Sequence, residues 1–309
     1  MSNGPNHRSG PARPDAPVLA VIIPHYNDPV RLEKCLTALA PQIAAANGRV
    51  ECVVVDNDSP CDLSPVAAAH PWARLVTEPR KGAAAARNRG VTETAAPGLL
   101  FLDSDCVPGP DWLATGLSLA GTLGPGGTEL LGGRVDTFDE TPPPRSGAEA
   151  FETVFAFNQR SYIRDKGFSV TANLLTTRAV FDDTGPLIVG LSEDVDWCRR
   201  ATAKGHALAY ADTLRVSHPT RTDWAALSRK WRRTTLEGFH LNGTGPAARA
   251  RWALRALAVA ASGLAHLPRV LTSDRLAGPG EKLAAAGMLM RLRTARAVWM
   301  LGQAAFGAR

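Results

Sequence analysis

The sequence predicts an α/β protein with a mainly parallel central sheet and a C-terminal helical extension. Three observations lead there. Short apolar runs alternate with helix-period segments over the first hundred residues, an order that gives parallel strands covered by helices. Several of those runs end in polar tails rich in Asp and Asn. From Asp223 onward the chain keeps helical character, broken only near residues 243–246 and 278–280.

Residues 18–23 are an apolar run closed by Pro24, a first strand. Residues 30–46 carry Leu32, Leu36, Leu39 and Ile43 at helical spacing. Residues 51–55 form a second strand that ends in Asp56-Asn57-Asp58-Ser59, and Leu75-Val76 marks a brief third. An Ala-rich helix over 81–95 leads to a fourth strand over 99–103, which runs into Asp103-Ser104-Asp105. Beyond Trp112 the alternation weakens. Residues 116–133 are glycine-rich, 130–138 predict a strand, and Pro142-Pro143-Pro144 breaks the chain. Residues 149–164 predict one helix carrying Phe151, Phe155 and Phe157. A strand over 170–176, a helix over 191–204 and paired short strands over 208–216 follow. The predicted division is a disordered tail over 1–16, a main α/β domain over 17–220 and the extension over 221–309.

Composition narrows the function. The five cysteines are scattered with no C-x-x-C pair, which argues against a disulfide framework or structural zinc and fits a reducing, cytoplasmic compartment. The first fifteen residues are polar and do not resemble a signal peptide. The net charge of +6 is uneven: residues 221–309 hold 15 Lys/Arg and 4 Asp/Glu, against 20 and 25 in the remainder. The basic character belongs to the extension, so nucleic acid is not an expected partner.

Alternation along a strand puts Asp103 and Asp105 on one side of the chain. At the carboxyl end of a sheet, where open α/β sheets bind ligands, two hard oxygen donors suit a divalent cation; a solvated acidic turn is the plain alternative. Tyr26 offers a planar face and Asp56 a polar group for a nucleotide base. Lys81-Gly82 opens the Ala-rich helix, whose first N–H groups suit an anion, with Lys81 and Arg87 in reach of a phosphate or base. The P-loop pattern is absent. Ser192-Glu193-Asp194-Val195-Asp196 reads either as an N-cap with dipole-favoured acids or as the seat of a general base at Asp194. His218 lies in a polar stretch and becomes a metal ligand only if the fold carries it to Asp105.

As an ordered set over residues 17–220, these segments resemble the family 2 glycosyltransferases. The matching elements are Pro24-His25-Tyr26-Asn27, Asp56-Asn57-Asp58-Ser59, Gly82 with Ala86-Arg87-Asn88-Arg89-Gly90, Asp103-Ser104-Asp105, Asn173 and Glu193-Asp194-Val195-Asp196. The resemblance implies the GT-A fold, a nucleotide-diphosphate sugar donor, Mg2+ or Mn2+, and inversion at the anomeric carbon. It implies nucleotide contacts from Pro24, Tyr26, Asn27, Asp56, Lys81, Arg87, Asp103 and Ser104. It further implies metal ligation by Asp105 and His218, a base at Asp194 with Glu193 beside it, and acceptor contacts from Asn173 and Trp197. A glycan, a lipid-linked molecule or a small molecule is the implied acceptor. The rival classes are a non-catalytic sugar-nucleotide-binding module and a metal-dependent nucleotidyltransferase, although the latter's usual glycine-rich loop after strand one is missing.

The extension mixes cations with Trp and Leu, as in Arg229-Lys230-Trp231-Arg232-Arg233. No stretch reaches the ~20 apolar residues of a membrane span. Two expectations stand side by side: amphipathic helices lying on the anionic inner face of the plasma membrane, or helices packed on the catalytic domain or on a second copy in a homodimer.

Overall fold

The computed structural model describes residues 16–307; the predicted disordered tail therefore lies, save its last residue, outside the described residues. The chain runs β1 (Leu19–His25), α1 (Pro29–Ala45), β2 (Val50–Asp56), α2 (Ser64–Ala69), β3 (Ala73–Thr77), α3 (Ala83–Thr92), β4 (Gly98–Leu102), β5 (Val107–Pro108) and α4 (Trp112–Ala120). It continues through β6 (Thr128–Phe138), α5 (Gly147–Phe155), α6 (Gln159–Lys166), β7 (Asn173–Thr177), α7 (Arg178–Thr184), α8 (Glu193–Ala203) and β8 (Ala207–Pro219). Helices α9 (Trp224–Asn242), α10 (Pro246–Ala265), α11 (Leu267–Leu271) and α12 (Gly278–Phe306) end it.

The strands form one sheet ordered β3-β2-β1-β4-β7-β6-β8-β5. β1 to β4 pair in parallel, β7 runs antiparallel between β4 and β6, and β6 pairs in parallel with β8. β1 and β4 are buried along their whole length, as apolar strands covered on both faces must be. On one face Leu32, Leu36 and Leu39 of α1 meet Val21, Val54 and Leu100. On the other, Ala84 and Ala86 of α3 and Trp197 and Cys198 of α8 meet Ile22, Val53 and Phe101. Helix α3 lies tight on β1 because Gly90 has no side chain: a Cβ there would collide with Ile22 Cγ2.

The extension shares its core with the middle of the chain. Phe151 and Val154 of α5 pack with Leu227 of α9, Val270 of α11, and Leu289 and Leu292 of α12. The buried Glu281 near the start of α12 pairs with Arg145 just before α5, at 3.1 Å.

Four local expectations are corrected. The glycine-rich stretch contains a helix, α4, because Trp112, Leu113 and Gly116 turn one face toward the core. The single helix expected over 149–164 is two, α5 and α6, separated where Phe157 takes a left-handed φ of 52°. Residues 208–216 belong to one long strand, β8, whose register on β6 jumps from Ala211 to Arg215 and so bulges out residues 212–214. The strand expected over 170–176 begins only at Asn173.

Candidate active site

Because β1, β2 and β4 are parallel and in register, their carboxyl ends open on one edge. A cavity of about 1460 Å³ lies there. Pro24, Tyr26, Arg87, Asp103, Ser104, Asp105, Glu193, Asp194 and His218 all line it. The segments predicted to converge do so.

Arg87 is the hub. Its position on α3 points into the protein, and it is only 4% exposed. Nη2 donates to Asp103 Oδ1 at 2.5 Å and Nη1 to Glu193 Oε1 at 3.0 Å. One guanidinium thus ties α3, the end of β4 and the start of α8 together, while its buried Nε has no partner among the described residues. The sequence suggested that Arg87 reaches a phosphate or base; in the fold its two arms hold carboxylates. Glu193 is likewise engaged through Arg87.

Asp194 follows Glu193 in the first turn of α8. It keeps partial access to the cavity but is hemmed in by protein. Burial, and then the charge of Glu193, push its carboxyl up to about 7, with Arg87 pulling the other way. A carboxylate poised near neutrality suits proton acceptance.

His218, at the end of β8, reaches Asp105: Nε2 lies 3.3 Å from Oδ2. Its Nδ1 lies 2.7 Å from the carbonyl oxygen of Pro219, which can only accept, so Nδ1 donates. Nε2 is thereby turned toward the Asp105 carboxylate. Asp105 and His218 could together hold a divalent cation, and a partner fixing Nδ1–H is what an imidazole ligand requires. Among the described residues no group of three His, Cys, Asp or Glu side chains is arranged to hold a metal alone. A two-residue set fits a cation that takes its other ligands from phosphate oxygens and water.

At the end of the cavity beside β1, Tyr26 is 55% exposed, and Lys81 Nζ sits 5.0 Å from its ring centroid while bonding Asp58. Asn57 organises the loop before α3: its amide donates to the carbonyls of Glu78 and Arg80, and its oxygen accepts the Gly82 N–H at 2.7 Å. Gly82 can hold its φ of 123° there because it lacks a side chain. Asp56 accepts from Ser59 N and Oγ and from His25 Nδ1, so most of its bonding capacity is internal. His25 Nε2 accepts the Asp28 N–H. Asn27, Asp56 and Lys81 border the cavity's residues rather than line it. His25 and Asn57 were missed as individual positions, although both lie inside motifs the sequence singled out.

Two predicted acceptor residues are corrected. Asn173 is fully buried, with its oxygen accepting the Trp112 indole N–H and its amide donating to the carbonyls of Arg134 and Leu214. Trp197 is 1% exposed, stacks on Phe181 and donates to Gly185 O. Both are core positions with no free polar atom to offer an acceptor. Sequence reasoning also missed Glu152, a buried carboxylate on α5 that pairs with Arg221 and Lys230 at 2.9 and 3.1 Å and lines the same cavity. Nothing in its local pattern marks it.

A parallel α/β sheet with acidic loops converging at its carboxyl edge, extended by antiparallel strands, defines the GT-A class of fold. The sequence profile of Glycosyl transferase family 2 matches residues 20–184. The chain belongs to that family and is a glycosyltransferase, which removes the nucleotidyltransferase reading. It is 32% identical over 226 residues to Glycosyltransferase AglE of Haloferax volcanii, covering 70% of this chain and 71% of that one. It is 29% identical over 238 residues to the Pre-mycofactocin glycosyltransferase of Mycobacterium tuberculosis, of which it spans 47%. Among solved structures, the mannosyltransferase PcManGT from Pyrobaculum calidifontis, in complex with GDP-Man and Mn2+, matches with a TM-score of 0.53 at 17% identity. That match covers 97% of this chain and 77% of the other. S. aureus TarS with UDP-GlcNAc matches with a TM-score of 0.50 at 15% identity, over 88% and 71%. At these identities the likeness is one of fold.

Proposed function

We propose that the protein moves a sugar from a nucleotide-diphosphate donor to an acceptor oxygen with inversion, in a metal-dependent reaction in which Asp194 is the base. One observation carries this reading: Asp103, Asp105, Glu193 and Asp194 line one cavity, with Arg87 bonded to Asp103 and Glu193. Among these five residues negative charge is in excess, which suits proton acceptance by Asp194 and a cation at Asp105.

In this reading the donor's base lies by Tyr26, with Asp56 and Lys81 at its edge. Asp105 and His218 would hold the divalent ion, which offsets charge on the departing nucleoside diphosphate. The imidazole in the set favours Mn2+ over the more strictly oxygen-bound Mg2+, and PcManGT was captured with Mn2+. Arg87 keeps Asp103 and Glu193 in fixed register, so that Asp194 faces the reacting centre. The acceptor oxygen forms a bond to the anomeric carbon as the bond from that carbon to the phosphate oxygen breaks. Its proton passes to Asp194. Base assistance of this kind is worth about 10²–10⁴-fold, and alignment of the two substrates about 7–11 kcal/mol more.

Among the described residues no helix is long and apolar enough to cross a membrane. Peripheral attachment is supported by Leu254, Leu257 and Leu264 of α10 and Leu283 and Val298 of α12, all more than half exposed. A panel of nucleoside-diphosphate sugars assayed with Mn2+ for donor turnover tests the central reading. Turnover of one donor that stops with EDTA is expected, and no turnover of any donor would leave only the sugar-nucleotide-binding module.

A further inference from the structure

The cavity continues past Asp194 toward α9, α10 and α12, where its lining carries several cations beside the carboxylates of Glu237 on α9 and Asp165 on α6. Arg296 of α12 and Arg255 of α10 line it, and Lys166 of α6 stands at its mouth. Arg293 lies one turn before Arg296 on the same helix face, with Nη2 3.3 Å from His266 Nδ1. Arg296 stacks on Trp231, its Cζ 4.2 Å from the ring centroid, and Arg255 lies 5.5 Å over Trp252.

These cations differ from their neighbours. Arg221 and Lys230, in the same cavity, share the buried carboxylate of Glu152. Among the described residues Arg255, Arg293 and Arg296 have no carboxylate partner. The Nε atoms of Arg293 and Arg296 are buried without a hydrogen-bond partner, as are Trp231 Nε1 and the hydroxyl of Thr235, both of which belong to residues lining or bordering this space. Burial, and then repulsion from Arg293 and Arg255, lower the proton affinity of Arg296 to about 9. Like charges three residues apart on a helix, with unmatched buried donors, oppose folding unless a ligand supplies negative charge. Guanidinium forks, an ammonium and an indole N–H only donate, so the matching group is rich in acceptor oxygens and anionic. A phosphate ester meets that description, and guanidinium geometry suits it.

We propose that this end of the cavity binds a phosphate group of the acceptor, which is therefore a phosphorylated molecule whose reacting oxygen faces Asp194. The proposal rests on the glycosyltransferase reading for the word acceptor, but not for the anion site itself. The phosphate belongs either to a soluble ester or to a lipid phosphate. Exposed leucines occur on α10 and α12, the helices that carry the site.

The test follows tryptophan fluorescence of the full chain, in EDTA, during titration with phenyl phosphate and with farnesyl phosphate. Saturable quenching is expected, weakened at least tenfold in Arg296→Met and in Arg255→Met, partly restored in Arg296→Lys, and unchanged in Asp105→Asn. Without phosphate, Arg296→Met should melt at or above the wild-type temperature, since it removes an unpaired cation; a purely structural arginine would lower it. Farnesyl phosphate binding at least tenfold tighter than phenyl phosphate assigns the lipid source, and equal binding assigns the soluble one. No saturable response to either ester, wild-type affinity in both Arg→Met variants, or loss of the response in Asp105→Asn would overturn the proposal. Phosphate binding without turnover of any donor would instead sink the enzyme reading and leave the anion site standing.

Discussion

Asp194→Asn separates catalysis from stability in opposite directions. The substitution keeps shape but removes a charge that the folded protein holds at a cost. The Asp194 carboxyl titrates at about 7 in the folded chain against an ordinary 3.8, chiefly through burial and then through Glu193. A folded-state value above the unfolded one means that ionisation opposes folding. The penalty is complete above pH 7, shrinks as pH falls through the folded value, and vanishes only below the unfolded one. A gap of about three pH units between the two states, at ~1.4 kcal/mol per unit, places the full penalty near ~4 kcal/mol. The asparagine variant should therefore be more stable than wild type by up to about 4 kcal/mol at pH 8, narrowing to less than about 2 kcal/mol at pH 5. Urea denaturation of both proteins in EDTA at the two pH values measures this. Sugar transfer should fall by about 10²–10⁴-fold, and wild-type kcat/KM should rise with pH on a limb centred near 7. A variant no more stable than wild type at pH 8, or an advantage that does not narrow on acidification, refutes the buried-anion reasoning. Turnover within a few-fold of wild type removes Asp194 from the base role.

Arg87→Met leaves Asp103 and Glu193 without their shared partner and should cost about 3–5 kcal/mol in denaturant melts. Because Arg87 holds the Asp194 value down, the activity limb of any residual enzyme should move to higher pH; a limb that stays put would show that Arg87 and Asp194 are not coupled. Asp105→Asn and His218→Asn should each raise the Mn2+ concentration needed for half-maximal donor turnover at least tenfold, whereas Asp194→Asn should leave Mn2+ binding by calorimetry unchanged. Equal metal dependence in all three variants would take Asp105 and His218 out of metal binding.

Much of the first hundred residues was legible because period and tail reinforce each other there. The runs at β1, β2 and β4 are short and apolar, and each gives way to a polar tail, although β1 continues through Pro24 to His25 and β2 includes Asp56. Pairing such strands in parallel brings Tyr26, Asp56 and Asp103 to one edge with no further information. The middle of the chain was less legible. A strand bulged at 212–214 looks like two, and a helix broken at Phe157 looks like one, because a local break carries no periodic signal. Asn173 and Trp197 were misassigned for a related reason. A polar or aromatic residue within a motif looks exposed until packing shows that its hydrogen bonds are made inside; the neighbouring Cys198 and Ala201, also buried on α8, were the one available hint for Trp197.

What the amino-acid order determined alone is the alternation of strands and helices, the acidic loops that close them and the basic bias of the last third. Each follows from local propensity and side-chain period, which act over a few residues. Tertiary structure decided which charges meet. It set Arg87 between Asp103 and Glu193, carried His218 to Asp105 across more than a hundred residues, gave Glu152 to Arg221 and Lys230, and left Arg296 without a carboxylate partner among the described residues. Ionic pairing and desolvation depend on distances of a few ångströms between segments remote in the chain, and only the packed fold fixes those.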